Sequence, residues 1–250
     1  MIALVAVAML LFIVTCSVVG VRLLWLAKNG GGRSALLCGN GFSLIAIVGF
    51  PLGVLSGQGI APVGEVHLPL SAISLFANLL GISSFFVFTV NVFRPNALWA
   101  HTLAGAAIAC TGMTSVAIVA GLALAPADAS SFAVTWGWSA TFQAVCMLCF
   151  GWMGVEGFAE WWKSRRRLAL GLSDAVVSNR LLMWGVFGVS TTLMCSVLLG
   201  VQLSGTPTPT SVLAQLSQAL FGIVSSGAAT LAFFPPPAYL ARLRRPPLAA

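Results

Sequence analysis

Apolar residues run along this chain in long unbroken stretches. They show neither the stripe of a half-buried helix nor the alternation of a half-buried strand. Seven such stretches stand at 2–26, 35–57, 69–93, 101–124, 132–162, 181–203 and 211–234. Each exceeds the ~20 residues a helix needs to cross the hydrocarbon core of a bilayer. No water is present there, so only helices or closed barrels satisfy every backbone group. Continuous runs of this length suit helices. The expected fold is an all-α membrane protein: a seven-transmembrane helical bundle over 1–238, then a short basic tail over 239–250.

The polar interruptions set the orientation. Arg22, Lys28 and Arg33 border the first connection, and Arg94 lies in the third. Lys163, Arg165, Arg166, Arg167 and Arg180 belong to the fifth, and Arg242, Arg244 and Arg245 to the tail. The second, fourth and sixth connections hold no Lys or Arg. Cationic loops stay cytoplasmic during insertion, so the N-terminus is expected outside and the C-terminus in the cytoplasm. From Met1 the chain is apolar at once, with no basic region and no small-residue cleavage site. It therefore reads as a first span inserted N-out, not as a removable signal peptide. Trp25, Trp99, Trp161, Trp162 and Trp184 fall near the expected inner ends of spans, and Trp136 and Trp138 near an outer end. That is the aromatic belt of a membrane interface. Trp152 lies deeper and is expected to pack inside the bundle.

The connections differ in character. Lys28-Asn29-Gly30-Gly31-Gly32-Arg33 is a flexible turn that lacks the strand and the Gly-Lys-Ser/Thr ending of a phosphate loop. Residues 57–68 form the longest outer loop, and Thr206-Pro207-Thr208-Pro209-Thr210 a stiff one. The helix of the fifth span is expected to run on through Arg167 and stop near Gly171, with Ser173 or Asp174 capping the next helix. Pro235-Pro236-Pro237 must break the last span, and residues 239–245 suit a short interfacial helix.

Composition narrows the chemistry. Only 7% of the 250 residues are charged, against about 25% in a soluble domain. The inner face collects twelve bases against three acids, Glu156, Glu160 and Asp174, while the outer face has Glu65 and Asp128. This excess is expected to attract anionic lipid head groups. No basic domain outside the membrane is long enough for a nucleic-acid site. The six cysteines all fall inside spans and read as small packing residues. Cys146-Met-Leu-Cys149 has redox-motif spacing without the βαβ context that motif needs.

Catalytic and cofactor constellations are missing from the pattern. Lys28 and Lys163 both lie at an interface, so no lysine is placed to hold retinal. His67 and His101 are expected on opposite faces, which suits neither a haem nor a buried zinc site. Serines such as Ser83, Ser84, Ser225 and Ser226 have no intramembrane histidine or lysine to activate them. An enzyme is not expected, nor is a cofactor.

The charges near the inner helix ends carry the strongest functional signal. Glu156 and Glu160 are four apart and share one face of the fifth span. Glu156 stands seven residues before Lys163, roughly 10 Å along the axis, at a depth where an ionisable group is usually paired. Arg22, Arg94 and Arg180 are expected at that depth. The five residues Arg22, Arg94, Glu156, Glu160 and Arg180 form a candidate cytoplasmic latch, with static ion pairing as the plainer reading. Lys163, Arg165, Arg166, Arg167, Arg242, Arg244 and Arg245 form a candidate surface for lipid or a cytoplasmic protein. Gly151, Gly154 and Gly157 offer close helix packing. Asn40, Asn78, Thr111, Thr114, Ser115, Gln143, Thr191, Gln215 and Gln218 are uncharged polar groups inside spans. They either bond between helices or line a cavity for a small neutral or amphipathic ligand.

Residues 75–95 laid over 216–236 match at eight of twenty-one positions, among them Gly81/Gly222, Thr89/Thr230 and Pro95/Pro236. Spans 1–3 would then repeat as spans 5–7 with span 4 as linker, a parallel plan that some transporters use.

Phe93-Arg94-Pro95 and the stretch from Arg167 to Arg180 (RLALGLSDAVVSNR) resemble an uncharacterised group of bacterial seven-pass membrane proteins. That group has Pro where Ala175 stands and brings no assigned activity. The resemblance implies a bacterial inner-membrane location. The topology also resembles G-protein-coupled receptors, with an Arg at the inner end of span three and Pro237-Ala238-Tyr239 before a short basic tail. The sugar-transporter family with paired three-helix repeats carries Pro-Gln signatures and prolines in several spans. Spans one, five and six here have none. The function expected is a sensor that binds a small neutral or lipid-like ligand and relays to a cytoplasmic partner. A transporter of a small neutral solute and a non-catalytic scaffold subunit are the alternatives.

Overall fold

The computed structural model describes residues 2–243, and among them the chain is all-helical. α1 is Ile2–Leu26. α2 is a composite of Gly32–Ser43, a π-helical stretch Leu44–Gly49, and Phe50–Leu55. α3 is Leu68–Phe93, α4 Leu98–Leu124, α5 Ser131–Ala169, α6 Ala175–Leu203, α7 Val212–Phe233 and α8 Pro237–Leu243. Six stretches are long and apolar enough to cross a membrane, the first being the 51 residues Val5–Leu55. That stretch is not straight. Asn29 and Gly30 leave helical φ/ψ, and Gly30 and Gly32 take positive φ. The chain reverses there, so Gly39 of α2 meets the backbone of Leu24 of α1. Glycine is required at both positive-φ positions because a Cβ would strain that conformation.

The termini follow from local chemistry. The Ser130 and Ser211 hydroxyls and the Asp174 carboxylate accept backbone N–H groups at the starts of α5, α7 and α6, satisfying donors the helix leaves free. α5 runs to Ala169 and stops at Gly171, where φ is +71°. Leu172 N–H donates to Arg167 O and Gly171 N–H to Leu168 O, the paired bonds of a Schellman cap. Asp174, not Ser173, caps α6; Ser173 instead shares a hydrogen bond with Ser164. α3 and α7 end just before Pro95 and Pro235, which cannot continue a helix.

Helices α1 to α7 form a closed ring in chain order: each packs on the next, and α7 returns to α1. α3 also touches α5, which leaves α4 outside the ring's interior. The closest seam joins α5 and α6. A Cβ on Gly188 would lie 2.5 Å from Gly154 Cα, and one on Gly157 would lie 2.8 Å from Gly185 N. Backbone meets backbone there, a contact only small residues permit.

One end of the ring carries Lys28, Arg94, Lys163 and Arg180 (the basic end). The other carries Glu65 and Asp128 (the acidic end), where an isolated bridge links Pro62 to Ser130. Val7, Leu10, Leu11, Val14, Val18 and Val21 lie exposed along one flank of α1 while Ala8, Cys16, Val19 and Leu23 are buried. A helix apolar on both sides belongs in lipid. The six apolar stretches and this surface mark a multi-pass membrane protein.

Candidate ligand cavity

A cavity of about 290 Å³ lies inside the ring, toward the acidic end. Six helices wall it, through Met9 and Phe12, Ile45 and Phe50, Asn78 and Ile82, Gln143 and Phe150, Thr191 and Gln202, and Gln218 and Gly222. Thr208, from the α6–α7 connection, lines it as well. Two smaller hollows, about 230 and 150 Å³, share Gln202 with it and bring in Gln58, Ser139 and Pro209 near the acidic end. Among the described residues, no charged side chain lines any of the three.

Local structure sets these walls. The π-helical stretch Leu44–Gly49 widens α2 by an extra residue per turn, and Phe50 N–H reaches back five residues to Ile45 O. Its last residue, Gly49, abuts the Asn78 side chain with no room for a Cβ. Ser74 Oγ donates to Gly49 O at 2.6 Å, which ties the widened turn to α3. Asn78 and Gln143 make only long bonds, 3.5 Å each, to Ser74 Oγ and Cys195 O. Gln202 Oε1 is buried without any hydrogen-bond partner among the described residues. An orphaned acceptor of this kind is expensive unless water or a ligand meets it. The cavity therefore offers unused amide donors and acceptors against mostly apolar walls. That chemistry suits a small, neutral, hydrogen-bonding molecule.

Aromatic rings close the cavity toward the basic end. Phe150 packs on Phe85 and Phe187, with centroids 5.8 and 6.1 Å away. Phe42 sits at the centre, 5.2 Å from Phe85, 5.4 Å from Phe187, 6.1 Å from Trp184 and 6.2 Å from Phe233. Four helices, α2, α3, α5 and α6, thus meet through interlocked rings, with α7 joining through Phe233.

Below this layer the structure brings together two of the five residues expected to form a latch. Arg94 Nε donates to Glu156 Oε1 at 2.7 Å, joining the end of α3 to α5. Trp152 Nε1 donates to the same oxygen at 3.2 Å, and Trp99 packs on Trp152 at 5.6 Å. The Glu156 side chain is 5% exposed and that of Arg94 44%. The hydrogen bond to Glu156, and then its opposite charge, push the Arg94 pKa further up. The other three stand apart. Glu160 pairs with Lys163 on its own helix at 2.6 Å. Arg22 Nη1 donates to Phe233 O, and its guanidinium lies 4.4 Å over the Phe234 ring. Arg180 makes no ion pair among the described residues and lines an apolar crevice.

On the expected partner surface, Arg165 and Arg166 lie over Trp161 and Trp162, while Arg167 and Arg242 are exposed. Arg244 and Arg245 lie outside the described residues. Of the polar residues singled out in the spans, Asn78, Gln143, Thr191 and Gln218 reach the main cavity. Thr111, Thr114 and Ser115 bond back to carbonyls of their own helix, α4, and Gln215 donates to Pro209 O. Sequence reasoning missed Gln202, which sits one residue from the end of α6 and looks like an interface residue in a linear pattern. Neither a protein-family model, nor a curated protein, nor a solved structure matches this chain.

Proposed function

We propose that this protein is a seven-pass sensor of the bacterial inner membrane, with the basic end in the cytoplasm, binding a small neutral ligand from outside. The observation that carries the reading is the uncharged, amide-bearing cavity, which reaches the acidic end and stops at the aromatic layer. Any ligand that reorders those rings alters the packing of α3 on α5 and α6. The Arg94–Glu156 contact and the α5–α6 connection lie directly below, where a cytoplasmic partner has access. The ring order, with each helix beside its chain neighbours, supports a receptor-like plan by analogy of fold alone.

The reversal at Asn29–Gly32 supports counting Val5–Leu55 as two spans. A reporter active only in the cytoplasm should fluoresce when fused after Gly30, and alkaline phosphatase should be active when fused after Ile60. Phosphatase activity at Gly30 would overturn the seven-span topology.

Ligand binding is tested by thermal unfolding of the purified protein against a panel of neutral polyols, amides and short alcohols. A ligand at a hundred times its Kd stabilises by about 2.7 kcal/mol, a readable rise in Tm. That rise should vanish in Gln202→Leu and in Gly222→Phe, where the new ring enters the cavity that Gly222 lines, its Cβ meeting only Ala8 O at an ordinary 3.9 Å. A Gly222→Phe variant that keeps the response would place the ligand elsewhere. If nothing in the panel stabilises the wild type, the scaffold reading gains.

The main cavity is walled by α1–α3 on one side and α5–α7 on the other, a placement that favours the alternative of solute transport. Uptake of the stabilising compound into proteoliposomes separates the two readings, since a sensor binds it without flux.

A further inference from the structure

At the basic end, a crevice of about 290 Å³ opens between α1, α2, α3, α6 and α7. Leu23, Cys38, Phe88, Trp184 and Phe233 are among its walls, and Ser34 and Arg180 contribute its polar edge. Trp184 and Phe233 also belong to the aromatic layer. We propose that this crevice is a discrete site for one anionic phospholipid of the leaflet at the basic end. An acyl chain fills the apolar walls, and the phosphate lies on Arg180.

Two features support that occupant over others. The walls are apolar almost throughout, which disfavours a free phosphate or a polar solute. The cation at its edge has no carboxylate among the described residues, and guanidinium is the side chain best shaped for a phosphate. Arg33, next to Ser34, adds a second exposed cation on the same side. The site differs from the general attraction of a basic face for anionic lipid, because it needs one arginine and one groove together. It does not depend on the cavity at the acidic end.

The test is native mass spectrometry of the delipidated full chain, titrated with phosphatidylglycerol or with phosphatidylcholine of the same acyl chains. The wild type should take up one phosphatidylglycerol at least ten-fold more tightly than phosphatidylcholine. Arg180→Glu should abolish that preference, whereas Arg166→Glu, which changes charge equally at the same end, should keep it. Ala35→Trp, filling the groove, should weaken both lipids ten-fold or more, with circular dichroism confirming helix content. On the wild type alone, glycerol 3-phosphate, a headgroup without tails, should not compete at a hundred-fold excess. Equal losses in Arg166→Glu and Arg180→Glu would reduce the effect to diffuse charge and overturn the site. So would competition by glycerol 3-phosphate, or phosphatidylcholine binding as tightly as phosphatidylglycerol in the wild type.

Discussion

Replacing Gly188 with leucine should lower the midpoint of thermal unfolding in detergent by roughly 6–12 °C. The Cβ alone would stand 2.5 Å from Gly154 Cα and N, so the new atoms meet backbone and no rotamer relieves them. Forcing extra carbons into a packed contact typically costs about 1–3 kcal/mol, occasionally more. Here the upper end applies, because two helices must separate along their whole seam. About 3 kcal/mol converts to that shift for a chain of this size. Gly112→Leu is the control: nothing lies within 4 Å of its Cβ, and leucine is the better helix former. It should leave the midpoint unchanged or raise it slightly. If both variants melt together, the α5–α6 seam is not the close contact described.

The second large effect is asymmetric. Arg94→Met should destabilise the protein by about 3 kcal/mol, because it strands a buried carboxylate. Glu156→Gln should cost about 1 kcal/mol or less. The amide still accepts from Trp152, and Arg94, nearly half exposed, turns to water or lipid phosphate. The double variant should be more stable than Arg94→Met alone. A double-mutant cycle on purified protein reads all three differences. Losses below about 1 kcal/mol in both single variants would mean that the pair behaves as an exposed one and contributes little.

Much of the fold was legible because its main determinant is coarse. Twenty or more apolar residues in a row have few alternatives to a helix, and Pro95, Gly171 and Pro235 stop helices for reasons local to themselves. The apolar span was drawn to 162, while the helix itself was expected to run on through Arg167 and stop near Gly171, and α5 does end at Ala169. Lys163, Arg165, Arg166 and Arg167 favour the interface as strongly as they favour helix, so hydropathy ended the span before the helix ended. The widened turn of α2 left no signature at all. Leu44, Ile45, Ala46, Ile47 and Val48 are equally at home in an α-helix, and the choice was made by Ser74 and Asn78 on a neighbouring helix.

The candidate site was legible in parts. Arg94 and Glu156 stood out as charges at an apolar depth, but three arginines shared that depth. Only the additional contact of α3 with α5 selects Arg94. Glu160 shared a face with Glu156 by spacing, yet Lys163 lies within reach on the same helix and requires no neighbouring helix. Four of the cavity's polar residues were among the nine singled out. Linear order does not tell which polar residues look into the cavity, and α4 buries Thr111, Thr114 and Ser115 without walling it.

The widened turn also changes how this helix can be counted. A π-turn holds one residue more than an α-turn advances, so α2 carries a surplus residue between Ser43 and Phe50. Positions before and after it obey the same period but start from different phases. Phe42 looks into the aromatic layer and Phe50 into the cavity, although an unbroken α-helix would place residues eight apart about 80° out of line. In the language of insertions and deletions, a one-residue gap within 44–49 restores a regular helix and re-aims everything from Phe50 to Leu55. A gap elsewhere in α2 leaves that surplus in place and misaligns both halves.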